Sequence, residues 1–370
     1  MQEFRSAKSD WNVSRLLRIV VCSLALLPSA PAMATSDPDA MAAHYKSKTI
    51  SLLIGTTPGS GADLQARIIA RHLAPNIPGR PRVVPQNMPG SGSVVMMNYL
   101  YSVANRDGTA MGITVGGIYM RHIMGGQGVR HNLSEMIPIY NPEGGGAVIF
   151  ASSKTGITRP ADIVKVNRIL YFGFQNAEGN SAMLGQAGFR MLGIQYKGIP
   201  GYKGSHDVSL ATERGELDLG WNTPGAYKTL IKPKVAAGVV VPIFQTGIWN
   251  PADNRIYPDP DLPDVPTFDA LYREINGTDP SGPLWDAWFA PLISYARFTM
   301  FLPPKAPQIA IDALNVAFEA TCKDEKFVEE LERAELSSKC YLKDEARAIS
   351  ERSAYAPPEA IKVLEELLKN

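Results

Sequence analysis

The chain has 370 residues, of which 45% are hydrophobic and 20% are charged. This composition excludes an intrinsically disordered chain, and the length is sufficient for two domains. The 37 basic and 36 acidic residues leave a formal net charge of +1, which excludes the strongly basic character of a typical nucleic-acid-binding protein.

The first 34 residues have the three parts of a secretory signal peptide. Basic residues precede a short apolar core at 19–27, and the small residues Ala32 and Ala34 then form a signal-peptidase site. The alternative is a membrane anchor, but the apolar core is well below the ~20 residues that a spanning helix needs. The sequence therefore predicts cleavage after Ala34 and export from the cytoplasm.

Two cysteines, Cys322 and Cys340, follow the predicted cleavage site. In an oxidising compartment they could form a disulfide, which would close a short loop and contribute ~3 kcal/mol to stability. Alternatively, each is a small buried hydrophobic residue on a separate element. The sequence leaves both interpretations open.

Short apolar segments alternate with amphipathic ones along most of the chain, a pattern typical of parallel α/β construction. Predicted strands lie at 49–54, 82–84, 110–115, 147–151, 169–172, 217–221 and 239–244. Predicted helices lie at 63–74, 93–104 and 182–192, with further helices near Pro307 and at 326–334 and 358–368. The segment 249–283 carries seven prolines and little periodicity, which predicts a long ordered loop. Two such α/β units would form a cleft between them, where the loops at the carboxyl ends of the strands bind ligands.

Four loops follow predicted strands and could meet in this cleft. The loop at 56–63 is rich in glycine and leads into a helix, so its N–H groups suit a carboxylate or phosphate. Its structural alternative is a connector in which Asp63 caps the helix. The loop at 87–93 is most simply a tight turn with Ser93 as N-cap. The loops at 175–181 and 221–224 carry Asn, Ser and Thr side chains that can donate hydrogen bonds.

The sequence lacks the patterns of common enzyme classes. It contains no Gly-x-Ser-x-Gly segment, and its five histidines show no metal-ligand spacing. We therefore expect no catalytic residue, no metal and no cofactor. The rival interpretation is a secreted hydrolase or isomerase acting on a carboxylated substrate, with Asp63 or His206 as its titratable group.

Six segments of the chain resemble, in the same order, the periplasmic solute-binding proteins of tripartite tricarboxylate transporters, known as the Bug family. These segments are Pro58-Gly59-Ser60-Gly61-Ala62-Asp63 with Ala66-Arg67, Asn87-Met88-Pro89-Gly90-Ser91-Gly92, Asp107-Gly108-Thr109, Tyr196-Lys197-Gly198, Gly215-Glu216-Leu217-Asp218 and Pro263-Asp264-Val265-Pro266-Thr267. Each segment alone is a weak signal. Their order along nearly all of the mature chain makes the resemblance specific.

The resemblance implies an α/β, two-lobed type II periplasmic-binding-protein fold with an interlobe ligand cleft. It implies a signal peptide at 1–34, a discontinuous lobe 1 at 48–143 and 246–370, and lobe 2 at 144–245. The implied function is capture of a small organic carboxylate in the periplasm by a monomeric receptor, and its delivery to a cognate inner-membrane permease. A receptor that presents its ligand to a sensor kinase is an alternative with the same fold.

In this family, backbone amides and hydroxyl groups of strand–helix loops hold the ligand's carboxylate. The residues carried over are Pro58, Gly59, Ser60, Gly61, Ala62 and Asp63 in lobe 1 and Gly179, Asn180 and Ser181 in lobe 2; the loop at 221–224 adds Asn222 and Thr223. Ser60 replaces the first of the family's paired glycines, so its hydroxyl could join the site. The family's histidine shortly after the second-lobe loop is absent, and the proline-rich segment before Asp264 is longer than expected.

These departures leave the ligand open among dicarboxylates, tricarboxylates, amino acids and aromatic acids. Three aromatic residues, Tyr119, Phe174 and Trp221, could line an apolar wall of the cleft. Aromatic residues at such positions are more often part of the core.

Overall fold

The computed structural model describes residues 36–295 and 298–369. The predicted signal peptide at 1–34 lies outside these residues. Among the helices described, none combines the length and the apolar character that crossing a membrane requires.

Strands and helices alternate through most of the described chain. The strands are β1 (Thr49–Ile54), β2 (Arg82–Asn87), β3 (Ala110–Ile113), β4 (Ile137–Pro142), β5 (Val148–Ser152), β6 (Leu170–Gly173), β7 (Tyr196–Ile199), β8 (Leu219–Asn222), β9 (Val240–Gln245), β10 (Ile248–Asn250), β11 (Arg255–Tyr257), β12 (Met300–Leu302) and β13 (Cys340–Tyr341). The helices are α1 (Pro38–Tyr45), α2 (Gly61–Leu73), α3 (Val94–Ser102), α4 (Gly117–Ile123), α5 (Asn180–Met191), α6 (Ser205–Arg214), α7 (Pro224–Ala226), α8 (Lys232–Ala236), α9 (Phe268–Asn276), α10 (Pro283–Ile293), α11 (Gln308–Thr321), α12 (Glu325–Arg333), α13 (Lys343–Ser353) and α14 (Pro358–Leu367).

The strands form two main sheets. The first has the order β13-β4-β12-β3-β1-β2, with β1 parallel to β2 and β3, and the second has the order β7-β6-β8-β5-β9, with β6 parallel to β7 and β8. Strands β12 and β5 run antiparallel to their neighbours. Because parallel strands end at the same edge of a sheet, the loops after β1, β2 and β3 lie together, as do those after β6, β7 and β8. The predicted α/β class is confirmed.

The hydrophobic core of the second sheet extends beyond its own strands. Phe268 and Leu271 of α9 and Trp288 of α10 are fully buried in this core, together with Phe189 and Phe244. These two helices follow residue 245, where the sequence predicts the end of lobe 2. The strands of the second sheet fall between 148 and 245, and the lobe boundaries stay a prediction.

The segment 249–283 differs from the predicted long loop. It contains the antiparallel pair of β10 and β11 and the helix α9. Phe268, Leu271, Tyr272 and Ile275 of α9 have the i, i+3, i+4, i+7 spacing of a helix and pack on the core of the second sheet. The prolines flank these elements instead of interrupting them, so proline content alone concealed the periodicity.

The three aromatic residues considered for the cleft wall belong to the core. Tyr119, Phe174 and Trp221 are 0%, 3% and 6% exposed, respectively. The Tyr119 hydroxyl donates to Thr299 Oγ1 at 3.0 Å, which fixes the ring in the core beside the first sheet. The core interpretation is therefore confirmed.

A small apolar cluster joins the two halves of the structure. Met120 of α4 and Met183 of α5 are buried in it with Ala287 and Ala290 of α10 and Leu364 of α14. Helix α10 packs against both α5 and α14. This cluster brings the start of α4, on the first sheet, close to the start of α5, on the second.

Candidate ligand-binding site

The loop at 56–63 is held in shape by the Asp63 carboxylate. This side chain is 6% exposed and accepts hydrogen bonds from Gly59 N–H at 2.9 Å, Arg67 Nε at 3.0 Å and Asn87 Nδ2 at 2.8 Å. The hydrogen bond from Arg67 is the largest cause that lowers the pKa of Asp63 to about 2; those from Gly59 and Asn87 add to it, and burial opposes it. Asp63 is therefore ionised at neutral pH and engaged within its own lobe, which does not suit a general base.

Ser60 is the N-cap of α2. Its Oγ accepts a hydrogen bond from Asp63 N–H at 3.2 Å and lies 2.6 Å from Thr56 Oγ1, with which it shares a second hydrogen bond. The loop tip at 57–59 is exposed. The tip therefore faces solvent, while the Ser60 hydroxyl closes the first turn of the helix.

We expect Ser60→Ala to lower the free energy of unfolding by about 1 kcal/mol, because the variant loses the acceptor that caps α2. Urea unfolding of the ligand-free protein measures this change. Ser60→Asn keeps a side-chain acceptor at the cap and should lose less than half as much. Equal losses in the two variants would show that the cap is not the source of the effect.

Backbone strain is concentrated in the loop after β2. The four consecutive residues 90–93 all have positive φ, which is unfavourable for Ser91 and Ser93. Ser93 is fully buried; its Oγ donates to Gly55 O at 3.2 Å and accepts from Val115 N–H at 3.3 Å. Ser93 thus ties the end of β1 to the end of β3. It occupies the predicted N-cap position of α3 but makes no side-chain hydrogen bond to the helix. Such strain often marks a functional site.

The loop before α5 provides a helix start without a side-chain cap. Asn180 Nδ2 donates to Pro291 O and to Ser294 Oγ, each at 2.9 Å, so its side-chain amine is engaged with α10. Ser181 lies in the first turn and is buried. The N–H groups at the start of this 12-residue helix carry the positive end of its dipole.

Asn222 and Thr223 end β8 and begin the next helical turn. Asn222 is fully buried, and its Nδ2 donates to Ser209 Oγ at 3.0 Å while its Oδ1 accepts from Thr223 N–H at 3.0 Å. The Thr223 hydroxyl accepts from Ala226 N–H at 3.4 Å as the N-cap of α7. Both side chains thus have structural partners.

A cavity of about 570 Å³ lies where the two sets of loops meet. Ser91, Gly92, Gly117, Met120, Arg121, Met124, Gly126 and Gln127 line it from the side of the first sheet, and Asn176, Glu178, Gly179, Asn180 and Met183 from the side of the second, with Leu368 after α14. Of the residues predicted from the sequence, Gly179 and Asn180 line the cavity; Pro58, Gly59, Ser60, Gly61, Ala62, Asp63, Ser181, Asn222 and Thr223 are not among its lining residues.

Two charged residues among the described lining of the cavity, Arg121 and Glu178, form an ion pair across it. Arg121 Nη2 of α4 lies 2.8 Å from Glu178 Oε2 in the loop before α5. Their side chains are 32% and 53% exposed, so the pair is open to solvent. Sequence analysis missed both residues. Glu178 lies within a loop that the sequence singled out, whereas Arg121 follows an apolar segment with no local sign of a binding role.

The hydrolase or isomerase interpretation names Asp63 or His206 as its titratable group. The Asp63 carboxylate already accepts three hydrogen bonds from neighbouring residues, and neither Asp63 nor the exposed His206 lines the cavity. Within 36–295 and 298–369, no three His, Cys, Asp or Glu residues form a group that could hold a metal ion.

Solved periplasmic binding proteins resemble this structure over almost their whole length. A TctC solute binding protein from Polaromonas, solved without ligand, has a TM-score of 0.62 at 16% identity and covers 88% of this chain and 99% of its own. The periplasmic binding protein BugD has a TM-score of 0.55 at 18% identity, with coverage of 87% and 98%. MatC from Rhodopseudomonas palustris, with bound malate, has a TM-score of 0.53 at 16% identity, with coverage of 87% and 97%.

At these identities the likeness establishes the fold. The chain has the two-lobed fold of periplasmic binding proteins, which confirms the predicted architecture. The solved structures it resembles belong to the same group of proteins as the one that the six sequence segments resemble. No protein-family model and no curated protein matches the chain.

Proposed function

We propose that the chain is a periplasmic solute-binding protein of the Bug and TctC group, which captures a small organic carboxylate and delivers it to the permease of a tripartite tricarboxylate-type transporter. The observation that carries this proposal is the cavity between the loops of the two sheets. It combines a guanidinium and an uncapped helix start, two groups that bind carboxylates. The fold and the six sequence segments support the same function, and the malate bound to MatC supports this class of ligand.

The ligand's carboxylate is held, in this proposal, by the first N–H groups of α5 and by Arg121. These N–H groups belong to Asn180 and Ser181, next to Gly179, so the predicted second-lobe site acts through its backbone. Helix N-termini favour anions because several unsatisfied N–H groups point the same way. The guanidinium adds a full charge with a geometry that matches a carboxylate.

The loop after β1 contributes its exposed tip when the lobes close on the ligand. Pro58, Gly59, Gly61 and Ala62 provide backbone that can approach the ligand, while Ser60 and Asp63 keep the loop in shape. Asn222 and Thr223 lie at the carboxyl end of β8, on the opposite side of the cleft. Closure would bring these residues to the ligand, and they remain part of the proposed site.

The proposal includes the remaining expectations from the sequence. Residues 1–34 are a signal peptide that directs the protein to the periplasm, lobe 1 comprises 48–143 and 246–370, and lobe 2 comprises 144–245. The receptor is a monomer that binds and releases its ligand unchanged, with no cofactor and no metal. Its partner is an inner-membrane permease.

We expect a carboxylate at about 100 times its Kd to stabilise the protein against unfolding by ~2.7 kcal/mol. A thermal-shift screen of the mature protein with mono-, di- and tricarboxylates, amino acids and the matching neutral amides measures this effect. Arg121→Gln should weaken binding of the best acid about tenfold, because one charge-assisted hydrogen bond to the carboxylate is lost. Arg214→Gln, at the end of α6, is the matched control and should bind as the parent does.

The proposed function would be contradicted if only the neutral amides raised the unfolding temperature. It would also be contradicted if none of the compounds raised it. Chemical conversion of a bound acid, followed by proton NMR, would favour the enzyme interpretation instead. Equal affinity in the Arg121 and Arg214 variants would remove the guanidinium from the site while leaving the helix start in place.

A further inference from the structure

Among the residues that the structure describes, the charged lining of the cavity is balanced, with one cation and one anion. Arg121 comes from the side of the first sheet and Glu178 from the side of the second, and their charged atoms lie 2.8 Å apart. The start of α5, directly after Glu178, adds a partial positive charge. The cavity therefore offers a partner for a cation on the ligand as well as partners for its carboxylate.

The ion pair can open to admit a ligand. Both side chains are partly exposed, at 32% and 53%, and such exposed pairs contribute only about 0–1 kcal/mol. Among the described residues, the Arg121 guanidinium has no other ion-pair partner. A ligand that brings its own opposite charges to both groups therefore replaces the pair at little cost.

A second carboxylate on the ligand would meet Glu178. Two carboxylates that share a small site repel each other, and one of them must take up a proton or lose affinity. An ammonium group next to the ligand's carboxylate is attracted to Glu178 instead of repelled by it. The carboxylate of the same ligand then binds Arg121 and the start of α5. The balance of charges thus favours a zwitterion.

One part of the cavity wall is apolar, beside polar lining residues such as Gln127 and Asn176. Met120, Met124, Met183 and Leu368 line it, and Met120 and Met183 continue into the buried cluster between α10 and α14. Methionine side chains are flexible and adapt to apolar groups of different shapes. This wall suits a hydrocarbon side chain on the ligand.

We propose that Glu178 is a specificity-determining residue that makes this cavity select α-amino acids with apolar side chains over dicarboxylates. The inference rests on the proposed function as a carboxylate receptor and specifies its class of ligand. Three six-carbon acids separate the effect of the ammonium group from that of a second carboxylate. L-leucine has both charges, 4-methylpentanoate lacks the ammonium, and adipate has a second carboxylate.

Isothermal titration of the mature, disulfide-intact protein with these three acids tests the proposal. We expect the parent protein to bind L-leucine at least tenfold more tightly than 4-methylpentanoate and to bind adipate most weakly. Glu178→Gln should weaken L-leucine about tenfold and strengthen adipate. Glu216→Gln, an exposed glutamate next to β8, is the matched control and should leave all three affinities unchanged.

The parent protein's own ranking tests the proposal even if the Glu178 variant folds poorly. Tighter binding of adipate or 4-methylpentanoate than of L-leucine would overturn the role of Glu178 and leave the proposed function intact. The same holds if other acids of the screening panel bind and none of these three does. If no acid of either set binds, both proposals fail.

Discussion

We expect the double variant Cys322→Ser/Cys340→Ser to lose about 3 kcal/mol in its free energy of unfolding. The two cysteines form a disulfide with a sequence separation of 18 residues and a Cα–Cα distance of 6.3 Å. Closing a loop of this size removes conformational freedom from the unfolded chain, and the loop-entropy relation gives about 3 kcal/mol. The sequence left the pairing open, and the structure shows the disulfide.

The position of the disulfide makes the loss local as well as global. Cys322 caps the end of α11, and Cys340 begins β13, the edge strand that pairs with β4. Between them, Phe327 and Leu331 of α12 are buried in the core of the first sheet. The disulfide therefore holds α12 and the edge strand against the sheet.

Urea unfolding under oxidising and reducing conditions measures the contribution of the disulfide. The reduced parent protein should unfold at the same urea concentration as the double variant, which serves as its control under both conditions. A double variant as stable as the oxidised parent would show that the closed loop adds nothing to the folded state.

We expect Asp63→Asn to lower the free energy of unfolding by about 2 kcal/mol at neutral pH. The folded-state pKa of Asp63 is about 2, below the ~3.9 of an unfolded aspartate. The difference corresponds to slightly more than 2 kcal/mol of favourable interaction with the carboxylate, and the 41% exposure of Arg67 screens part of it.

The sign of the pH dependence follows from the lowered pKa. A carboxyl group whose pKa falls on folding stabilises the protein fully above its unfolded pKa, near pH 4, and progressively less as the pH falls towards 2. The stability difference between the parent and Asp63→Asn should therefore be largest above pH 5 and shrink between pH 4 and pH 2. Urea unfolding at a series of pH values measures it.

Asp207→Asn is the matched control for this experiment. Asp207 also lies in the first turn of a helix, α6, and has no ion-pair partner among the residues that the structure describes. Both variants lose the interaction of an aspartate with a helix start, and Asp63→Asn alone loses the contacts with Arg67, Gly59 and Asn87. Parallel pH profiles of the two variants would refute a special role for the Asp63 network.

Local patterns were sufficient for much of the fold. The apolar segment 49–54 is β1 residue for residue, and the predicted strands of the second sheet differ from the observed ones by one or two residues at their ends. The predicted helices at 63–74 and 182–192 likewise begin within two residues of α2 and α5. Side-chain periodicity and turn residues act over a few positions, so they can be read from a single segment.

The candidate site was only partly accessible to the same reasoning. The sequence pointed to the glycine-rich loop at 56–63 and to Gly179 and Asn180, because glycines and the start of a helix can be recognised within a few residues. It placed Ser60 and Asp63 among the candidate ligand contacts, with a structural role for Asp63 as the alternative, and the structure shows the hydrogen bonds by which both hold the loop. Which partner a polar side chain takes depends on distant residues such as Asn87, which lies on another strand.

The sequence by itself determined the α/β class, seven of the thirteen strands that the structure describes, and the segments whose order resembles that of a receptor family. Only the tertiary structure decided that Cys322 and Cys340 pair, that α9 packs within the core of the second sheet, and that Arg121 meets Glu178 across a cavity. The physical reason is the sequence separation of the interacting residues. Secondary structure follows from side chains within a few residues of one another, while disulfides, ion pairs and cavities depend on where separate elements come to rest in space.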